Sequence, residues 1–179
     1  MTTYFSFRPD YFNNNGDQGN LEALREAIGS QFSETKKIDG ADFVLFGDAS
    51  LAVMEHFADE LDKFRAAIRA RFEGGLPTLV VGRSYEFFAP DLGLEVKSRN
   101  RFSGFVETAG GVFGYKNSDN DLPDVTQNGA FIATNLFGPV LVKNPELLAL
   151  VLQSLGRKLL LDETRLGYLN EIRKRSISG

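Results

Sequence analysis

Cysteine is absent from the 179-residue sequence, and histidine occurs only once, as His56. Without cysteine the chain has no disulfide bonds, no thiolate metal sites and no thiol nucleophile. A mechanism that needs an imidazole base has His56 as its only source. This residue lies in a segment with helical periodicity, where a lone histidine is more often a surface or core residue than a base. We therefore expect no metal site and no cofactor.

Long apolar runs and an excess of basic residues are also missing. No apolar stretch approaches the ~20 residues that span a membrane. Residues 1–12 show no basic region followed by an apolar core, which a secretory signal would need. The formal net charge is −4, whereas nucleic-acid-binding proteins usually carry a basic patch. We expect a cytoplasmic protein that binds neither nucleic acid nor membranes.

The length and the hydrophobic content of 42% suit a single domain spanning residues 1–179 with one sizeable core. Apolar runs predict strands at 3–9, 42–48, 77–82 and 130–135, with strands or a hairpin within 94–117 and a polar loop at 117–129. Helical periodicity predicts a helix from Leu21 capped by Asn20, one long helix from Ser50 to Gly74, a helix opening at Pro145, and a last helix capped by Asp162. The alternation predicts an α/β three-layer sandwich around a mostly parallel central sheet.

The stretch LVVGRSYEFFA, residues 79–89, joins an apolar run to an aromatic segment through a glycine-centred turn. In many α/β enzymes such a turn between strand and helix carries the nucleophile at its tip. Here the tip is Gly82, which has no reactive side chain. Glycine adopts the strained backbone angles of such a turn at little cost. We therefore predict that the turn keeps the backbone conformation of an elbow without carrying a nucleophile, and that a helix begins near Ser84.

Five stretches in order resemble a known family. They are YFNNNGDQGNLEALREA, DFVLFGDAS, PTLVVGRSYEFFA, RFSGFVETAGG and FIATNLFGPVLVKNP, and they span residues 11–145, about three quarters of the chain. They resemble the class I glutamine amidotransferases of the cobyric acid synthase (CobB/CobQ-like) type. The most similar branch is the small glutaminase subunit that partners a Mur-ligase-like protein in amidating lipid II. The resemblance implies a flavodoxin-like sandwich.

The resemblance also implies that the reacting groups are missing. The family uses a cysteine thiolate at the elbow tip and a histidine base from the last block, and the matching positions are Gly82 and Phe137. The elbow glycine and glutamine of the family are replaced by Arg83 and Glu86. The Gly-rich turn is thinner, as Gly47-Asp48-Ala49, and the arginine of the fourth block is retained as Arg101.

Three functions are compatible with these residues. The leading prediction is a catalytically inactive amidotransferase-like protein, a binding or regulatory module that docks on a Mur-ligase-like or other synthetase subunit. The alternatives are an active amidotransferase or hydrolase with an unrecognised nucleophile such as Ser84, and a stand-alone small-molecule binder.

Charged and small residues on the predicted loops form a candidate pocket. The ligand-binding candidates are Gly47, Asp48, Arg83, Ser84, Glu86 and Arg101. They are predicted either to bind a small anionic molecule or a partner segment, or to be solvated and mutually paired charges. Both interpretations are open from the sequence.

Overall fold

The structure, a computed structural model, describes residues 1–158, 167–168, 170–171 and 174–176. The predicted beginning of the last helix at Asp162 lies outside these residues. Within the described ranges, none of the helices has the length and apolarity to cross a bilayer.

Nine strands and seven helices lie within residues 1–158, and the described residues 167–168, 170–171 and 174–176 are also helical. The strands are β1 Thr2–Ser6, β2 Phe32–Glu34, β3 Phe43–Phe46, β4 Thr78–Val81, β5 Ser98–Glu107, β6 Phe113–Asn120, β7 Val125–Asn128, β8 Phe131–Thr134 and β9 Leu136–Phe137. The helices are α1 Gly19–Ile28, α2 Leu51–His56, α3 Ala58–Asp62, α4 Arg65–Glu73, α5 Arg83–Phe88, α6 Val140–Lys143 and α7 Pro145–Ser154. Short 3₁₀ turns follow α1 and α5.

The central sheet has six strands in the order β2-β1-β3-β4-β8-β7. All neighbours pair in parallel except β7, which runs antiparallel to β8. The prediction of a mostly parallel sheet is confirmed. The strand order reverses between β1 and β3, and ligands of such sheets bind at the carboxyl ends of the strands beside this switch point. A second, antiparallel sheet has the order β5-β6-β9.

Helices cover both faces of the central sheet. Along β3, Val44 and Phe46 belong to one apolar core, and Phe43 and Leu45 belong to the other. This two-residue alternation is expected of a strand that is buried on both faces. Helices α2 to α5 pack on the first face, and α1, α6 and α7 pack on the second. The predicted three-layer arrangement is therefore confirmed.

The long helix predicted from Ser50 to Gly74 is wrong in one respect, because the segment is broken into α2, α3 and α4. The first break is at Phe57, whose backbone angles are φ −102° and ψ 9°. Its ring makes edge-to-face contacts with Phe7 and Phe12. This aromatic packing overrides the helical periodicity that the sequence shows.

The predicted cap of the first helix is also wrong. Asn20 lies inside α1 and is fully buried. Its side-chain oxygen accepts a hydrogen bond from the backbone N–H of Leu141 at 2.8 Å, and its amide group donates to the carbonyl of Asp17 at 2.8 Å. Asn20 therefore joins α1 to α6, a role that requires contact between distant parts of the chain.

The predicted polar loop at 117–129 is shorter than expected. Strand β6 continues to Asn120, and β7 occupies Val125–Asn128. Ser118 and Asn120 are buried although they are polar. Tertiary packing of the small sheet against the site therefore overrides the local preference of these residues for a loop.

Candidate functional site

A sharp turn joins β4 to α5 at Gly82. Its backbone angles are φ 59° and ψ −122°, a conformation that residues with side chains adopt only at a cost of ~1–3 kcal/mol. The turn is fixed by hydrogen bonds from the N–H of Gly82 to the carbonyl of Thr134 at 2.8 Å and from the N–H of Glu86 to the carbonyl of Gly82 at 3.1 Å. This is the strand–turn–helix geometry of a nucleophile elbow.

The space above Gly82 is filled by two side chains. A Cβ atom at this position would lie 2.2 Å from Oδ1 of Asp48 and 2.8 Å from Cε1 of Phe137. Both distances are shorter than a van der Waals contact. The structure therefore places Phe137 directly against the elbow tip, and it leaves no room for any side chain at residue 82.

The carboxylate of Asp48 accepts three hydrogen bonds at the elbow. Its Oδ1 accepts from the backbone N–H of Arg83 at 2.9 Å. Its Oδ2 accepts from the side-chain amides of Asn15 at 2.8 Å and Asn14 at 3.3 Å. In a working elbow, the N–H of the residue after the nucleophile stabilises the oxyanion of the intermediate. Here that N–H is occupied by a carboxylate of the chain itself.

A second buried carboxylate lies behind the first. Asp17 is 0% exposed, and its Oδ2 accepts from the backbone N–H of Asp48 at 2.9 Å. Its Oδ1 has no hydrogen-bond partner within the part of the chain that the structure describes. Burial, with a contribution from the charge of Asp48, raises the pKa of Asp17 from its ordinary value of 3.8 to about 7. Burial also raises the pKa of Asp48, although the hydrogen bonds from Arg83 and Asn14 counteract it.

Within the part of the chain that the structure describes, Asp17 and Asp48 do not belong to a larger group of potential metal ligands. Among the described residues, no three histidine, cysteine, aspartate or glutamate side chains converge as a metal centre requires.

A cavity of about 300 Å³, here called the elbow cavity, opens above the turn. Its lining consists of Asn14, Asn15, Asp48, Ala49, Ser50, Leu51, Arg83, Glu86, Arg101, Tyr115, Asn117, Ser118, Asp119 and Phe137. The four charged candidates from the sequence, Asp48, Arg83, Glu86 and Arg101, are thus brought together. They come from three separate stretches of the chain, at the ends of β3 and β4 and on β5.

Two of the predicted ligand-binding residues do not line the elbow cavity. Ser84 is 0% exposed, and its hydroxyl donates to the carbonyl of Gly47 at 2.7 Å. At Gly47, a Cβ atom would lie 2.1 Å from the backbone oxygen of Phe12, so this position needs glycine for the close approach of two backbones. Both residues pack beneath the turn and do not face the elbow cavity.

The charged side chains at the mouth of the elbow cavity are more exposed to solvent than the carboxylates of Asp48 and Asp17 below them. One guanidinium nitrogen of Arg83 lies 3.6 Å from Oε2 of Glu86, and Oε1 of Glu86 accepts from Asn120 at 2.7 Å. Burial raises the pKa of Glu86, while the positive charge of Arg83 lowers it. Arg101 donates from Nε to Asn117 at 2.7 Å. No ion pair to Arg101 occurs in the described residues.

His56 takes no part in this arrangement. It lies at the end of α2, is exposed, and its ring meets the ring of Phe57 edge to face. It is not in the lining of the elbow cavity.

Several lining residues were not predicted from the sequence. Tyr115, Asn117 and Asp119 alternate along β6, so they share one face of the small sheet. Tyr115 pairs with Phe137 of β9, which brings that face to the elbow. The alternation was visible in the sequence, but the pairing of β6 with β9 was not.

Comparisons with known proteins give similarity in structure only. The chain matches no family model, and it matches no curated protein sequence. Its structure is similar to that of a glutamine amidotransferase from Thermotoga maritima, with 15% identity, a TM-score of 0.49, and coverage of 75% of each chain. It is also similar to the structure of SMU.1228c, with 14% identity, a TM-score of 0.47, and coverage of 83% of this chain and 80% of the other.

Proposed function

We propose that this protein is a catalytically inactive, glutamine amidotransferase-like binding protein. The five sequence blocks and the strand–turn–helix elbow support the relationship to that family. The observation that carries the proposed loss of activity is the Asp48 carboxylate, which fills the space above Gly82 and accepts the N–H of Arg83.

Amide hydrolysis by an elbow enzyme needs a nucleophile, a base and an oxyanion site. The tip position is Gly82, so no nucleophile is present there. The neighbouring ring belongs to Phe137, which accepts no proton. The backbone N–H of Arg83 donates its hydrogen bond to the carboxylate of Asp48. When that carboxylate is ionised, its negative charge would repel the oxyanion of a reaction intermediate. These three observations support the proposed loss of activity.

An active enzyme that uses Ser84 receives little support from this geometry. The Ser84 hydroxyl is buried, and its proton is donated to a backbone carbonyl. A serine nucleophile needs a base within about 2.6–3.2 Å. The partner that the hydroxyl does have, the carbonyl of Gly47, does not act as a base.

We propose that a small anion binds between Arg83 and Arg101 at the mouth of the elbow cavity, although the carboxylates of Asp48, Glu86 and Asp119 also line it. Its volume lies at the lower end of the range for small-molecule sites. Arg101 carries a guanidinium with no ion pair in the described chain, and Arg83 has only the long contact of 3.6 Å. An anionic group at the mouth would form an ion pair with both arginines. Docking of this module on a Mur-ligase-like or other synthetase subunit is proposed from the sequence resemblance alone.

The loss of catalysis is tested by assaying glutamine hydrolysis. We expect no release of glutamate or ammonia above background over several hours, with or without a candidate ligase partner. An active glutaminase at the same concentration sets the detection limit. Turnover above background would overturn the proposal, and its loss in Ser84→Ala would identify the nucleophile.

Anion binding is tested by thermal unfolding in the presence of glutamate, phosphate and citrate. Because a ligand that binds only the folded state raises its melting temperature, we expect at least one of these anions to do so. The increase should be smaller in Arg101→Gln and unchanged in Arg99→Gln, which alters the same strand outside the elbow cavity. An equal increase in both variants, or none in the wild type, would contradict anion binding at this site.

A further inference from the structure

Strand β5 is a long edge strand that the rest of the described chain leaves uncovered. It spans ten residues, Ser98–Glu107, and it lies at the end of the order β5-β6-β9, so its only neighbour in the small sheet is β6. Eight of the ten residues are exposed, and the other two, Gly104 and Val106, are half-buried. Natural proteins usually keep edge strands short or cover them, because free backbone N–H and C=O groups pair with other chains.

The register between β5 and β6 is regular over residues 102–107, and it fixes which side chains share a face of the small sheet. Successive side chains of a strand point to opposite faces. One face therefore carries Ser103, Phe105 and Glu107, and the other carries Phe102, Gly104 and Val106. Phe102 and Phe105 are 41% and 46% exposed, so each face of the edge has one open aromatic ring.

Arg101 belongs to the face of Ser103, although it lies in the irregular stretch at the beginning of β5. Its Nε donates to Oδ1 of Asn117 at 2.7 Å, and Asn117 lies directly opposite Ser103. This hydrogen bond holds the guanidinium on that face. Glu107, at the other end of the same face, is exposed. Neither Arg101 nor Glu107 has an ion pair in the described residues.

Residues 101–107, with the sequence RFSGFVE, are complementary to a second copy of themselves. When two copies pair in antiparallel about a two-fold axis at Gly104, each residue before the axis lies opposite one after it. The opposing residues of the two copies are Arg101 and Glu107, Phe102 and Val106, and Ser103 and Phe105. The outer pairs join opposite charges and the inner pairs place apolar side chains against the other copy, and both kinds of pair stabilise a sheet.

Other registers lose this match. A shift by one residue moves every side chain of the second copy to the other face of the sheet. A shift by two residues places Arg99 opposite Glu107 and leaves Arg101 opposite Phe105. Arg99 lies inside the irregular stretch, and no described contact fixes its side chain. Charge and face therefore favour the pairing about Gly104.

We propose that this protein forms a two-fold symmetric homodimer through antiparallel pairing of the β5 strands of two copies about Gly104. The two small sheets join into one sheet of six strands in the order β9-β6-β5-β5-β6-β9. Backbone hydrogen bonds supply the affinity, and the opposing side chains fix the register. Because each copy covers the free edge of the other, assembly ends at the dimer.

The dimer places the second copy beside the rim of the elbow cavity, because Arg101 lies both on β5 and in the cavity lining. A guanidinium has five N–H donors, and the bond to Asn117 uses one of them. Donors therefore remain for a bound anion when Arg101 pairs with Glu107 of the second copy. The proposal rests on neither the loss of catalysis nor anion binding, and its test uses neither.

The oligomeric state is measured by sedimentation equilibrium of the full chain over a range of protein concentrations. We expect reversible association from 19.8 kDa to twice that mass. Arg101→Glu and Glu107→Arg each set like charges opposite each other in both outer pairs, so each should raise the dissociation constant at least about tenfold. Arg99→Glu makes the same charge change on the same strand outside these pairs, and should alter the constant by less than about threefold.

An equimolar mixture of Arg101→Glu and Glu107→Arg gives the sharpest readout. Only a mixed dimer restores opposite charges in both outer pairs, so we expect the mixture to associate nearly as tightly as the wild type while each variant alone remains largely monomeric. This recovery also shows that both variants are folded. A wild type that stays monomeric, a mixture that associates no better than its components, or an equal loss in Arg99→Glu would overturn the proposal. A wild-type dimer that both charge reversals leave intact would place the interface elsewhere and would overturn it as well.

Discussion

The bottom and the mouth of the elbow cavity are built in opposite ways. At the bottom, the elbow floor of Gly82, Asp48 and Phe137 is packed so closely that a single methyl group does not fit. At the mouth, the rim of Arg83, Glu86 and Arg101 is looser, with the Arg83 side chain 38% exposed. The proposed loss of chemistry concerns the floor, which the chain fills with its own side chains. The proposed recognition of a ligand concerns the rim, where charged side chains are exposed to solvent.

The largest expected effect comes from adding a methyl group to the elbow floor. Gly82→Ala forces a side chain into backbone angles that cost ~1–3 kcal/mol, and its Cβ atom would lie 2.2 Å from Asp48. We expect the free energy of unfolding, measured with urea, to fall by about 3 kcal/mol or more.

Two further variants separate the backbone cost from the clash. Gly29 has φ 77° and ψ −155°, which is much closer to the backbone conformation of Gly82, and no atom within 4 Å of its Cβ position, so Gly29→Ala carries the backbone cost alone. Adding Asp48→Ala to Gly82→Ala removes the carboxylate and should recover part of the lost stability. If Gly82→Ala is no worse than Gly29→Ala, the floor is not closed by Asp48.

The next effect is the pH dependence that Asp17 gives to stability. Its pKa is 3.8 in the unfolded chain and about 7 in the folded protein, so the folded state holds the proton more tightly. The free energy of unfolding should therefore fall as pH rises from about 4 to about 7 and then level off. At 1.36 kcal/mol for each unit of pKa, the full loss is on the order of 4 kcal/mol.

Asp17→Asn removes this titration. We expect the variant to be more stable than the wild type at pH 8 and to lose less stability between pH 5 and pH 8. The same substitution at the exposed Asp39 is the control for replacing an aspartate by asparagine. Parallel curves for Asp17→Asn and wild type would show that Asp17 ionises as freely when folded as when unfolded.

The smallest effect on stability is expected at the rim. Arg101 is exposed and makes one described hydrogen bond, so Arg101→Gln should change the free energy of unfolding by no more than about 0.5 kcal/mol. The same variant should weaken anion binding. A large loss of stability in Arg101→Gln would mean that the rim contributes to the free energy of unfolding as the floor does. The contrast between rim and floor would then be wrong.

The sequence predicted the frame of the site because that frame depends on local patterns. Apolar runs ending in glycine marked β3 and β4, and the position of Gly82 followed from the run before it. The closing of the floor depends on where the side chain of Asp48 points, which three contacts from residues 14, 15 and 83 decide. The breaks near Phe57 and the role of Asn20 depend on distant neighbours in the same way. Periodicity carries no information about such contacts.

A crystal structure of the protein without added ligand tests the central claim most directly. We expect the carboxylate of Asp48 above Gly82, with one oxygen within hydrogen-bond distance of the Arg83 N–H, and the ring of Phe137 in contact with the elbow tip. An Asp48 side chain turned towards solvent, with a cavity reaching down to the free N–H of Arg83, would contradict it.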